Sequence, residues 1–155
     1  MSVHEITPAI DRSALLAGAQ FADAYRIEVD DLSLNARQAA ERMMARQPRW
    51  AEVLVTLRNI LVTPFGLKTS GAGVAREMVG IFPVVSERPE RLVAGFNDKH
   101  LDFRIVVDVA TSNDKANITL TTLVLTHNWL GRTYLAVIMP FHRLIARSLL
   151  RQVVA

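Results

Sequence analysis

The sequence predicts an α+β fold in which a curved antiparallel sheet packs on a long C-terminal helix, with two short helices after the first strand. Three observations lead to this prediction. Stretches with alternating apolar and polar residues follow one another through the second half of the chain, as in half-buried strands. The connections between them are too short for parallel crossovers, which indicates antiparallel pairing. The C-terminal segment instead repeats apolar residues with the period of a helix.

The composition is that of one soluble domain spanning residues 1–155. The chain has a formal net charge of +3 and no cysteine, which excludes disulfides, thiolate nucleophiles and zinc–thiolate sites. No apolar run approaches the ~18 residues of a membrane span, and the N-terminus lacks the pattern of a secretory signal. We therefore expect a cytoplasmic protein without an integral membrane segment. Although the sequence pI is about 9.8, lysine and arginine form no block, so we expect no nucleic-acid binding.

Three elements are predicted in the first half of the chain. Phe21–Val29 alternates as a strand, with apolar residues at every second position from Tyr25. Residues 35–46 are rich in good helix formers and begin at an asparagine suited to capping. Residues 48–62 repeat apolar residues on one buried helix face. This second helix is expected to end before Pro64, because proline interrupts helices.

Three to five β segments are predicted in the second half, at about residues 75–84, 92–96, 100–110 and 117–127. They are separated by the turn-like sequences SERPE, NDK and TSNDKA, which are rich in the residues that favour turns. Consecutive short connections predict neighbouring antiparallel strands.

Residues 132–153 are predicted to form one long amphipathic helix. Pro140 lies on its polar side and is expected to bend the axis without ending the helix. Such a helix can lie across the concave face of a curved sheet, and a gap between the two would form a ligand pocket. A helical projection places these residues on the apolar face: Tyr134, Val137, Ile138, Phe141, Leu144, Ile145 and Leu149.

Several short motifs resemble a known family. They are FGLK (65–68), FPV (82–84), GFNDKHLDFR (95–104), HNWLGRTYLAVI (127–138) and PFHRLI (140–145). In this order they resemble the bacterial domain of unknown function 2867 family, which is grouped with the helix-grip, START-like or SRPBCC proteins. The resemblance covers most of the chain and implies a curved sheet that grips a C-terminal helix around a ligand cavity.

The resemblance does not choose between binding and catalysis, because the superfamily includes lipid and hormone carriers as well as polyketide cyclases and aromatases. Some relatives look like C-terminal parts of nucleotide-binding, reductase-like proteins. This chain has no GxGxxG element, so a reductase-like partner would be a separate protein.

One register of the predicted hairpin between residues 100–110 and 117–127 pairs core residues with core residues. It sets Val107 opposite Leu120 and Val109 opposite Ile118. A slip by one residue would set these valines against Thr119 and Asn117 instead, so the hydrophobic pattern favours the first register.

In this register four polar residues cluster at one end of the sheet. His100 lies opposite His127, next to Asp102 and Arg104. One interpretation is a site at a cavity mouth, in which Asp102 orients a histidine that acts as general acid or base. The alternative is structural: Asp102 and Arg104 form an ion pair, while His127 and Asn128 cap the loop before the helix. The spacing of the histidines lacks a metal-binding motif, so we predict no metal.

The C-terminal helix carries two further candidates. His142 lies at the edge of the apolar face, where it either lines the pocket or is a satisfied core residue. Arg143, Arg147 and Arg151 form a basic stripe on the opposite face. This stripe either contacts anionic lipid or a phosphate-bearing partner, or is a solvated face that complements the helix dipole.

The function predicted from these features is binding of a small apolar or amphipathic ligand in an internal cavity. The alternatives are an enzyme of the cyclase or dehydratase type that uses a pocket histidine, and an interaction module without a ligand. No cofactor is predicted and no residue is assigned as catalytic. The candidate ligand-binding residues are His100, Asp102, Arg104, His127, Tyr134 and His142.

Overall fold

The structure, a computed structural model, describes residues 3–8, 15–44, 78–79, 82–97 and 101–153. These residues form an antiparallel sheet and two helices, the α+β arrangement that the sequence predicts. In chain order the elements are β1 (His4–Ile6), β2 (Phe21–Val29), α1 (Ala36–Met44), β3 (Met78–Val79), β4 (Phe82–Glu87), β5 (Arg91–Asn97), β6 (Leu101–Ser112), β7 (Lys115–Thr126) and α2 (Trp129–Arg151). The predicted helix at residues 48–62 and the candidate His100 lie outside the described residues.

The strands of the described residues form one sheet in the order β1-β2-β7-β6-β5-β4-β3. From β4 to β7 each strand pairs with the next strand along the chain, as the short connections predict, whereas β2 pairs with the distant β7. Residues 75–84, predicted as one strand, instead contain β3 and the start of β4, which pair with each other. The bounds of β2 agree with the prediction. Strand β1 was missed, because three residues are too few to show alternation.

The hairpin between β6 and β7 has the predicted register. Val107 pairs with Leu120 and Val109 pairs with Ile118. The two-residue turn consists of Asn113 and Asp114, with φ angles of 54° and 61°. Positive φ at both positions is the signature of a type I′ turn, which matches the twist of the strands that it joins.

Helix α1 begins as its sequence predicts. The Asn35 side-chain oxygen accepts a hydrogen bond of 2.8 Å from the Gln38 backbone N–H, and the Gln38 side-chain oxygen accepts one of 3.1 Å from the Asn35 N–H. This reciprocal capping satisfies two backbone donors at the start of the helix. The buried face of α1 contains Ala36, Ala39, Ala40 and Met43, whose small alanines allow the helix to lie close to the sheet.

Both helices pack on one face of the sheet, here called the inner face. Tyr25, Ile105 and Val107 share one core cluster with α1 and with Ala146 and Leu150 of α2. Because side chains alternate along a strand, the neighbours of these strand residues project from the opposite, outer face. The outer face also buries apolar side chains, among them Val106 and Leu123.

Asn128 caps the start of helix α2: its side chain accepts a hydrogen bond of 3.0 Å from the Gly131 N–H. From Trp129 the helix runs without interruption past Pro140 to Arg151. Neither this helix nor any other in the described residues is both long and apolar enough to cross a membrane.

The predicted buried face of α2 is confirmed only in part: Leu149 packs against the core cluster, and Tyr134 and Ile145 are half-buried. The helix buries Ala146 and Leu150, which lie on the same helix face as the half-buried His142. By contrast, Phe141 and Leu144 of the predicted apolar face are 53% and 68% exposed. The projection ranked residues by hydrophobicity alone. The sheet places Asp23 beneath this helix, and the Asp23 carboxylate contacts His142, so the helix turns its histidine and not its bulkiest apolar side chains toward the sheet.

Candidate functional site

The predicted cluster around Asp102 exists in part. His127 Nε2 lies 3.0 Å from Asp102 Oδ1, with 38% of the histidine side chain and 16% of the carboxylate side chain exposed. Asp102 lies opposite Leu125, as predicted. Arg104 donates a hydrogen bond of 2.8 Å to the Phe103 carbonyl oxygen.

This Asp102–His127 pair belongs to the outer face of the sheet. Phe103 packs against the core cluster that contains α2, so the next residues along β6 on either side, Asp102 and Arg104, project away from it. The pair therefore does not face the interior between the sheet and α2, where the sequence interpretation expects a ligand.

A second histidine–carboxylate pair lies between the sheet and α2. His142 Nε2 is 3.0 Å from Asp23 Oδ1 and 2.8 Å from Asp23 Oδ2. Only 13% of the His142 side chain and 10% of the Asp23 side chain are exposed. The His142 ring also meets the Phe21 ring edge-on, at a centroid distance of 5.5 Å. His142, which the sequence predicts either to line the pocket or to be a satisfied core residue, is thus held by a buried carboxylate.

Strand β2 places Tyr25 next to this pair, because Asp23 and Tyr25 are two residues apart and share the inner face. Tyr25 is fully buried, and its hydroxyl has no hydrogen-bond partner among the described residues. Asp23 pairs across the sheet with Thr122, which is also buried. We call these four residues, Asp23, Tyr25, Thr122 and His142, the Tyr25 cluster.

Charged side chains surround the Tyr25 cluster. The guanidinium carbon of Arg147 lies 5.7 Å from the centroid of the Tyr25 ring, a cation–π distance. Glu5 pairs with Tyr25 across the sheet, and its carboxylate lies 3.8 Å from an Arg143 nitrogen. Tyr134, the remaining sequence candidate, is half-buried nearer the start of α2.

The pKa of the Tyr25 hydroxyl is raised above its ordinary value of 10.0, chiefly by burial and then by the negative charges of Asp23 and Glu5, against the opposing effect of Arg143 and Arg147. The hydroxyl therefore stays protonated at neutral pH and is available as a hydrogen-bond donor.

Sequence reasoning missed Asp23 and Tyr25 as site residues. The sequence does contain a signal: Asp23 projects to the same side of the predicted strand as the apolar residues Tyr25, Ile27 and Val29. A carboxylate in the core phase of a strand must find a partner, because an unpaired buried charge is strongly unfavourable. His142, on the last helix, is that partner.

The cluster combines two chemical capacities. The Tyr25 hydroxyl can donate a hydrogen bond to a ligand oxygen, while the Asp23 carboxylate holds His142 in a fixed orientation for binding or proton transfer. In the part of the chain that the structure describes, no three histidine or acidic side chains converge as a metal site requires.

The raised pKa of Tyr25 predicts an alkaline loss of stability. Between the ordinary pKa and the higher folded-state pKa, the unfolded chain ionises this tyrosine and the folded chain does not, so the free energy of unfolding falls as pH rises. We expect Tyr25→Phe to remove this component when urea unfolding is compared from about pH 8 to about pH 11. An equal loss in both proteins would contradict the burial of this hydroxyl.

Comparisons with known proteins support a family assignment. The model of a family described as "Protein of unknown function (DUF2867)" matches residues 15–149. No curated protein is similar in sequence to this chain. A solved structure, that of CalU16 from Micromonospora echinospora, aligns over 86% of this chain and 88% of its own, with 10% identity and a TM-score of 0.36.

Proposed function

We propose that this protein, which belongs to the DUF2867 family of proteins of unknown function, binds one small apolar or amphipathic ligand. The ligand lies between the inner face of the sheet and α2, in a helix-grip arrangement. The apolar surface around the cluster would hold the body of the ligand, and the Tyr25 cluster would hold its polar group.

The Tyr25 hydroxyl is the observation that carries this proposal. Buried hydroxyls in folded proteins nearly always have a hydrogen-bond partner, because an unsatisfied one is costly. Among the described residues this hydroxyl has none. A ligand oxygen beside it would complete the hydrogen bond, and the neighbouring His142 and Thr122 would limit which polar groups fit.

Tyr25→Phe is expected to separate stability from binding. Because the change removes an unsatisfied buried hydroxyl, the ligand-free protein should gain about 1 kcal/mol in free energy of unfolding. Loss of the donor should at the same time weaken ligand binding roughly tenfold. Saturable titration with a fluorescent fatty-acid analogue, together with urea unfolding without ligand, measures both effects.

The matched comparison is Tyr134→Phe, because Tyr134 is the other tyrosine of the chain and a candidate from the sequence. If Tyr134→Phe weakens binding and Tyr25→Phe does not, the ligand contacts the start of α2 instead of the cluster. If neither change matters and no analogue binds, the domain is an interaction module without a ligand.

A specific observation favours an enzyme as the second candidate. Both carboxylate oxygens of Asp23 lie within 3.0 Å of His142 Nε2, which leaves Nδ1 as the ring nitrogen for a substrate. A histidine oriented in this way can take a proton from a bound molecule, while Tyr25 donates a hydrogen bond to the oxygen on which charge develops. This arrangement suits the cyclase or dehydratase type of reaction.

A further inference from the structure

The solvent face of α2 carries an apolar stripe that the described core leaves uncovered. Val137, Phe141 and Leu144 follow the i, i+4, i+7 spacing of one helix face and are 47%, 53% and 68% exposed. We call these three residues the Phe141 stripe. At the start of the same helix Trp129 is 70% exposed. Contiguous exposed apolar side chains of this kind mark interaction surfaces.

Arg151 follows Leu144 by two helical turns on the same helix face, and no acidic residue of α2 interrupts the stripe. Of the other arginines, Arg143 pairs with Glu5 and Arg147 lies against the Tyr25 ring. Helix α2 contains Arg132, Arg143, Arg147 and Arg151 but neither aspartate nor glutamate. Arg132, Arg143 and Arg151 are exposed. An exposed apolar stripe that ends in an arginine, on a helix with no acidic residue and with an exposed tryptophan at its start, is the pattern of a helix that lies in a membrane interface.

We propose that α2 docks on an anionic lipid surface through the Phe141 stripe, with Arg151 at the level of the headgroups. The arginines favour this partner because an anionic leaflet attracts each cation near its surface. An acidic protein would satisfy the arginines but would not by itself account for three exposed apolar side chains on a convex helix. This surface is separate from the Tyr25 cluster, so the inference does not depend on the proposed function.

Vesicle sedimentation of the full chain tests the charge requirement. The protein should bind vesicles of phosphatidylcholine and phosphatidylserine and bind vesicles of phosphatidylcholine alone far more weakly. Arg151→Glu should lower the partition coefficient by at least roughly fivefold. Arg88→Glu makes the same change of charge at an exposed turn before β5 and should leave binding nearly unchanged.

The apolar stripe is tested in the same assay. Phe141→Ser combined with Leu144→Ser should lower binding at least about tenfold without a loss of folding, because both side chains are exposed. Val85→Ser, at an apolar side chain that is 52% exposed on β4, is the control and should leave binding unchanged. Equal binding to neutral vesicles, or no effect of the double substitution, would overturn the proposal.

A probe on the stripe identifies what covers it. The chain has no cysteine, so Leu144→Cys and Val85→Cys each accept a single environment-sensitive dye. The dye at position 144 should shift to the blue on addition of anionic vesicles, and the dye at position 85 should not. A dye at position 144 that is already in an apolar environment without lipid would overturn the proposal. If the blue-shifted emission without lipid depends on protein concentration, a second copy of the chain covers the stripe; if it does not, another part of the same chain covers it. A blue shift only on addition of an acidic protein would also overturn the proposal.

Discussion

Gly95→Ala is expected to lower the free energy of unfolding by about 4 kcal/mol or more, an unusually large effect for the addition of one methyl group. A Cβ atom at Gly95 would lie 2.0 Å from the Phe103 carbonyl oxygen and 3.0 Å from the Arg104 Cα. These are backbone atoms of the neighbouring strand, so relief of the clash requires β5 and β6 to separate. Gly95 also has a φ of +151°, which side chains rarely allow.

Gly18→Ala is the matched control. Its φ is +81°, but the nearest atom to an added Cβ is a Leu125 side-chain carbon at 3.7 Å, an ordinary contact. The change should therefore lower the free energy of unfolding by only about 1 kcal/mol, the cost of holding an alanine in a left-handed conformation. Urea unfolding of both variants measures the difference, and similar costs at the two glycines would contradict the close approach of β5 to β6.

His142→Ala is expected to destabilise the protein by about 3 kcal/mol, because it leaves the Asp23 carboxylate buried without its partner. His127→Ala removes the same kind of side chain from the more exposed Asp102–His127 pair and should cost only about 0.5 kcal/mol. Urea unfolding at neutral pH measures both values. A larger cost for His127→Ala would mean that the outer-face pair, and not the Tyr25 cluster, is the buried polar element of the fold.

Replacing both members of the inner pair sharpens this test. Asp23→Leu combined with His142→Leu should be more stable than His142→Ala alone, since apolar residues often substitute for a buried ion pair at little cost. The double variant should nevertheless lose ligand binding. If the double variant is stable but does not bind the ligand, the pair is retained for function. If the double variant is stable and still binds the ligand, the ligand lies elsewhere.

The sequence contained enough information for much of the sheet. Strand β2, the asparagine cap of α1 and the register of the β6–β7 hairpin all follow from local rules, in which alternation, capping and core-to-core pairing agree. The same register placed Asp102 and His127 at one end of the sheet, where their side chains lie 3.0 Å apart. The sequence does not show which face of the sheet α2 covers, so it left open whether this pair faces the interior or the outer face.

The Tyr25 cluster depends on contacts that no local pattern contains. Asp23 and His142 are brought together only when β2 joins β7 and α2 folds back over them. The helical projection added to the difficulty, because it selected the bulkier Phe141 and Leu144 for the core in place of His142 and Ala146. Their exposure became visible only when the position of the helix on the sheet was known.

The sheet order has a consequence for when the Tyr25 cluster can form. Strands β4 to β7 are successive hairpins, whose short loops close quickly, whereas the pairing of Phe21 with Val124 requires two distant parts of the chain to meet. Asp23 and Tyr25 reach their positions only when β2 pairs with β7, and His142 belongs to the helix that follows β7 in chain order. The hairpin scaffold can therefore assemble before any of the four residues of the cluster except Thr122 is in place. A ligand would then bind only the finished fold, and its binding energy would stabilise the step that joins the two ends of the described chain.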